Sequence, residues 1–161
     1  MQRVAPEGPM ALEEAGKPAR TEPEPGLSPL QARTPEMPAV LVVEDELRFL
    51  TLLVEQFEKA GFRVVWAATG EDAVWLMRTQ PLLRALITDI RLRGSLDGWD
   101  VAHGFRELWP AAPVIYTSGY TEVMERPVAN SIFLRKPCRP AELASKIKQL
   151  LDPDVPFPVQ G

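Results

Sequence analysis

Apolar positions along this chain fall into two alternating patterns. Short continuous runs at residues 40–43, 62–68, 82–89, 113–118 and 131–134 suit strands buried on both faces of a parallel sheet. Between them, apolar residues recur at three- and four-residue spacing: Leu47, Leu50, Val54 and Phe57 first, then Val101, Phe105 and Leu108, and finally Leu143, Ile147, Leu150 and Leu151. That spacing predicts amphipathic helices, and a shorter one is expected over 71–79. Gly61, Pro81 and Pro110 end the first three, and Pro140 stands at a good first-turn position for the last. Strands and helices alternating at this length predict an α/β fold, a doubly wound parallel sheet with right-handed crossovers.

The pattern holds only over residues 39–151. Residues 1–38 carry eight of the seventeen prolines and no aromatic residue, so they cannot bury enough apolar surface to offset their ordering entropy and are expected to be disordered. Residues 152–161, with Pro153, Pro156 and Pro158, read as a second, short tail. A net charge of −4 gives no electrostatic footprint for nucleic acid. No apolar run approaches the roughly 20 residues of a membrane helix, and the start lacks an apolar signal core. The single cysteine, Cys138, excludes an internal disulfide and fits a reducing cytoplasm. A cytoplasmic protein without direct DNA or membrane contact is the expectation.

Four runs end in polar groups that belong together chemically. They are Glu44-Asp45-Glu46 after the first, Asp89 after the third, Ser118 after the fourth and Lys136 just past the fifth. The carboxyl ends of successive strands converge on one edge of a sheet, where open α/β folds place their ligands. Carboxylates there suit Mg²⁺, with Asp45 and Asp89 as direct ligands and Glu44 acting through water or as an alternative ligand. An aspartate can also attack phosphorus to form an aspartyl phosphate. A lysine and a hydroxyl would neutralise and orient the phosphoryl oxygens. Each feature alone has an ordinary explanation: acidic residues favour helix starts, a lone Asp or a Ser-Gly pair marks a turn, and Lys-Pro is a solvated loop. Their joint occurrence in order, each after a different strand, favours the phosphoryl-aspartate reading.

Residues 40–46 (VLVVEDE), 87–92 (ITDIRL), 113–120 (PVIYTSGY) and 133–137 (FLRKP) resemble the receiver domain of bacterial two-component response regulators. The resemblance covers residues 39–151. It implies a flavodoxin-like, five-stranded parallel sheet in the order 2-1-3-4-5 with five helices. It also implies phosphotransfer to Asp89 from a histidine kinase or phosphotransfer protein, with Mg²⁺ as cofactor. By motif position, Glu44 and Asp45 are the acidic pair and the backbone carbonyl of Arg91 is a further metal ligand. Ser118 is the switch hydroxyl, Phe133 the switch aromatic and Lys136 the phosphate-binding lysine. With no effector domain following residue 151, the expectation is a stand-alone regulator that signals through protein contact or onward phosphotransfer. The alternatives are a phosphorylation-independent binding module and an aspartate-nucleophile phosphatase, the latter disfavoured because Asp89-Ile90-Arg91 lacks a second acid.

Departures from the family pattern matter too. Residues 91–98 lack the usual proline after the phosphoacceptor. Residues 119–130 are short and contain Pro127, so the fourth helix is expected to be short or irregular. Arg91 and Tyr120 flank the approach of a hydrolytic water and are candidates for shielding the acyl phosphate. His103 and Cys138 are read as structural, and Trp66, Trp75, Trp99 and Trp109 as packing groups.

Overall fold

The computed structural model describes residues 37–120 and 125–154. The expectations for the proline-rich stretch and for the final seven residues lie outside the described residues. Nine elements follow in strict alternation until the end: β1 (Ala39–Val43), α1 (Leu47–Lys59), β2 (Arg63–Ala67), α2 (Gly70–Thr79), β3 (Leu83–Asp89), α3 (Gly98–Leu108), β4 (Val114–Ser118), β5 (Ser131–Arg135) and α4 (Pro140–Leu150). The strands form one parallel sheet in the order β2-β1-β3-β4-β5. This is the 2-1-3-4-5 flavodoxin-like order.

Period-two alternation explains why β1 reads as an unbroken apolar run. Leu41 and Val43 face a cluster with Ala73, Met77, Val101 and Phe105 from α2 and α3. Val40 and Val42 face a second cluster with Leu50, Phe57, Leu143 and Ile147 from α1 and α4. All five β1 side chains are buried, as a central strand covered on both faces requires. Edge strand β2 shows the contrast: Val65 is buried while Trp66 is exposed.

Caps set the helix starts. The Thr69 hydroxyl accepts from Asp72 N at 3.1 Å. Asp97 and Asp100 form a reciprocal capping box at the start of α3. Pro140 occupies the first turn of α4 as expected. Glu46 is the N-cap residue of α1 but makes no side-chain cap bond.

Several expectations need correction. The buried stripe of α1 is Leu50, Leu53 and Phe57, whereas Leu47 is 64% exposed because it lies in the first turn beside the open edge of the sheet. Trp66 and Trp75 are also exposed rather than packing groups. Of the five helices implied by the resemblance, four are present among the described residues. Gly119, Tyr120 and residues 125–130 form no helix, and residues 121–124 lie outside the described residues.

Residues 125–130 are instead held along α3. Arg126 donates to both Asp97 carboxylate oxygens at 2.8 and 3.1 Å, and to Asp100 Oδ1 at 3.2 Å. Val128 is buried, and its N–H donates to the Tyr116 hydroxyl at 3.3 Å. Near the far end of α3, Arg106 donates to the Ala129 carbonyl at 2.6 Å and to the Trp109 and Pro110 carbonyls at 2.8 Å. His103 Nε2 stands 3.2 Å from the Arg126 carbonyl oxygen, a surface contact that agrees with its structural reading.

Candidate phosphoryl-aspartate and metal site

Parallel pairing brings the carboxyl ends of β1, β3, β4 and β5 to one edge. Val43 pairs with Thr88, Asp89 with Thr117, and Ser118 with Arg135. The residue after β1 is therefore Glu44, the last of β3 is Asp89, the last of β4 is Ser118, and the first after β5 is Lys136. One further contact closes the set: Lys136 N donates to the Ser118 carbonyl at 2.8 Å.

Lys136 is the hub. Its Nζ donates to Glu44 Oε2 and to Asp89 Oδ2, each at 2.7 Å. It also stands 5.1 Å from the centre of the Phe49 ring, a cation–π contact from α1. Asp89 is buried, and its other oxygen accepts from Arg91 N at 3.0 Å. Glu44 is only 1% exposed, and its second oxygen accepts from Glu46 N at 3.1 Å.

Burial sets the charge balance here. It pushes the Glu44 carboxyl above the usual carboxylate range, and the bonds from Lys136 and Glu46 offset this only in part. Burial alone would lower the Lys136 ammonium, but hydrogen bonds and charges from Asp89 and Glu44 together outweigh it and raise the pKa. The lysine is held firmly charged.

Glu44, Asp45 and Asp89 each offer a carboxylate oxygen within 4.8 Å of the others. Three hard oxygen donors at that spacing fit a Mg²⁺ ion, which takes one or two carboxylates and keeps several waters. Asp45 pairs with the exposed Arg93, whose Nε lies 3.3 Å from Asp45 Oδ2.

Gly98 lets the loop after β3 close tightly. A Cβ there would collide with the Asp89 carbonyl oxygen and lie 2.7 Å from the Ile90 Cα. From α2, Glu71 Oε1 fixes the same loop by accepting from Ser95 N at 2.8 Å, Ser95 Oγ at 2.6 Å and Leu96 N at 3.3 Å. These bonds bring the Glu71 pKa down to about 2.

Each residue singled out in the sequence can now be placed. Glu44, Asp45, Asp89 and Lys136 share one cluster. Ser118 is buried at the same edge, where its Oγ accepts from Tyr120 N at 3.2 Å. Phe133 is half-buried on β5 and packs against the α2/α3 side of the core. Arg91 and Tyr120 meet each other, the guanidinium lying 4.1 Å from the ring centre. Cys138 packs against the α1/α4 side of the core, and burial pushes its thiol pKa up. Phe49, Glu71 and Arg93 were not anticipated. Phe49 looks like part of a helical stripe, and the partners of Glu71 and Arg93 lie on other loops, with no local signature.

Comparison with known proteins agrees with this geometry. Residues 40–148 match the family model described as the response regulator receiver domain. The chain is 34% identical over 108 residues to a response regulator receiver protein of Anaeromyxobacter sp., covering 67% of this chain and 43% of that protein. It spans about half the length of the curated relatives it matches. Among solved structures, a response regulator receiver protein from Sinorhizobium medicae is 32% identical with a TM-score of 0.69, covering 73% of this chain and 97% of that one. The receiver domain of sensor histidine kinase PA1611 from Pseudomonas aeruginosa, solved with a magnesium ion in its active-site cleft, is similar in fold at 24% identity and a TM-score of 0.61, covering 71% of this chain and 98% of that one.

Proposed function

Because the chain belongs to the response regulator receiver domain family, we propose that it accepts a phosphoryl group on Asp89 from a histidine kinase or histidine phosphotransfer protein, with Mg²⁺ held by Glu44, Asp45, Asp89 and the Arg91 carbonyl. The observation that carries this reading is the half-buried Lys136 ammonium bonded to both Glu44 and Asp89 beside a third carboxylate. A magnesium ion in the cleft of a protein of the same fold supports the metal assignment.

Asp89 acts as nucleophile. One carboxylate oxygen forms a bond to phosphorus as the phosphorus–nitrogen bond of the donor phosphohistidine breaks, leaving imidazole on the partner. Lys136 then turns from its carboxylate partners to a phosphoryl oxygen, and the Ser118 hydroxyl donates to another. Mg²⁺, when bound, contributes charge neutralisation at the transferring group. Phe133, paired with Tyr116 from edge strand β5, responds as the switch aromatic. Arg91 and Tyr120, already stacked, hinder the hydrolytic water and lengthen the life of the acyl phosphate.

The domain is a signalling module that assists its own phosphorylation and dephosphorylation. Its proposed role is that of a cytoplasmic response regulator whose receiver, over residues 39–151, passes its signal by protein–protein contact or onward phosphotransfer. No helix among the described residues is long and apolar enough to cross a membrane.

Incubation with acetyl phosphate and Mg²⁺ tests the proposal by intact-protein mass. One added phosphoryl group is expected, lost in Asp89→Asn and on chelation of the metal. No gain in the wild-type chain would favour the phosphorylation-independent binding module.

A further inference from the structure

The loop after β3 carries two arginines that point to different partners. Arg91 covers the Tyr120 ring. Arg93 reaches the acidic cluster, with its Nε 3.3 Å from Asp45 Oδ2. Lys136 serves Glu44 and Asp89, so among the described residues Arg93 is the cation at the third carboxylate. We propose that Arg93 is an internal counter-ion of Asp45 that Mg²⁺ must displace, and that it thereby sets the metal affinity of the site. This rests on the assignment of Asp45 as a metal ligand.

Arg93 is placed by its neighbours. Gly94, immediately after it, has a φ of +113°, a conformation that glycine adopts without strain. A Cβ at that position would lie 2.6 Å from Glu71 Oε2. Ser95 and Leu96 are then bonded to the Glu71 carboxylate on α2. The backbone on the far side of Arg93 is thus anchored next to the site, and its side chain spans the remaining distance to Asp45.

A carboxylate oxygen held by a guanidinium is not free for a metal ion. The apparent affinity for the metal falls by the fraction of molecules in which Asp45 is unpaired. The side chain of Arg93 is 82% exposed and that of Asp45 20%, so the pair is solvated and screened. Pairs of this kind are weak, which limits the effect to about two- to five-fold in affinity. The released arginine swings into water at little desolvation cost. Lys136 stays in place, which leaves a cation for the phosphoryl group once the metal has entered.

Calorimetric titration of Mg²⁺ into the full chain decides the matter, using the wild type, Arg93→Gln and Arg48→Gln. Arg48 is exposed in the first turn of α1, three positions after Asp45, so both substitutions remove one positive charge near the site. Among the described residues, only Arg93 pairs with Asp45. Arg93→Gln is expected to bind Mg²⁺ about two- to five-fold more tightly than wild type, with Arg48→Gln well short of that gain. Added NaCl should narrow the difference between wild type and Arg93→Gln. Unchanged affinity in Arg93→Gln overturns the proposal, as does an equal gain in Arg48→Gln. A wild-type chain that binds no Mg²⁺ overturns the metal assignment itself, and this proposal with it.

Discussion

Lys136 joins the two most buried carboxylates of the site, and its replacement tests how they are balanced. Lys136→Met leaves Glu44 and Asp89 close together without their cation. Removing one partner of a buried charged network costs about 3 kcal/mol, reduced here because the lysine side chain is 20% exposed. A loss of about 2 kcal/mol in metal-free buffer is expected from chemical denaturation. Mg²⁺ should recover more stability in the variant than in wild type, because it supplies the missing positive charge. Equal metal stabilisation of both proteins would refute that balance. At the mouth of the site, replacing both Arg91 and Tyr120 by alanine is expected to shorten the lifetime of phosphorylated Asp89. An unchanged decay of the phosphoprotein would remove their shielding role.

At the scale of elements, the β3–α3 loop and the β4–β5 connection are each tied to a helix by charged side chains. Glu71 ties the first to α2. Its pKa falls from the ordinary 4.5 to about 2, so its contribution is present above pH about 4.5 and is lost as the pH falls toward 2. Glu71→Gln should flatten that part of the stability–pH profile, measured by thermal melts, and the difference should shrink in salt because the group is exposed. Arg126 ties the second to the capping box of α3. Its side chain is 47% exposed, so Arg126→Ala should change global stability little. Locally, hydrogen exchange at the Val128 amide should accelerate while amides of central β1 keep their protection. Uniform acceleration across the sheet would show that the connection does not open on its own.

Much of this was legible in the sequence for identifiable reasons. The apolar runs marked all five strands because a doubly covered sheet leaves few polar positions in its central members. Strand ends were off by one or two residues, as at Phe62 and Leu82, where apolar side chains flank the strand without joining the ladder. Asp89, Glu44, Asp45, Ser118 and Lys136 stood out because each ends or follows a strand, and parallel register carries such residues to one edge. Arg93 on Asp45, Phe49 beside Lys136 and the Arg126 ties were illegible, since they depend on how loops cross between elements. Exposure of Leu47 and Trp75 was equally hidden, because spacing alone does not say where a helix leaves the core.

Across the whole molecule, two half-cores lock the sheet and leave its carboxyl edge as the polar surface where chemistry collects. Gly98 couples that edge to the core of α3, where Trp99 packs on Tyr116 with ring centres 4.4 Å apart. Gly98→Ala would drive a methyl group into the Asp89 backbone, and a loss of about 2–3 kcal/mol is expected by denaturant titration, together with impaired phosphorylation. The central claim is that Asp89 carries the phosphoryl group. Borohydride reduction after incubation with acetyl phosphate and Mg²⁺ converts an aspartyl phosphate to homoserine, which peptide mass mapping locates. Homoserine is expected in place of Asp89 and at no other acidic residue. Homoserine formed elsewhere, or none in a protein that has gained a phosphoryl group, would contradict it.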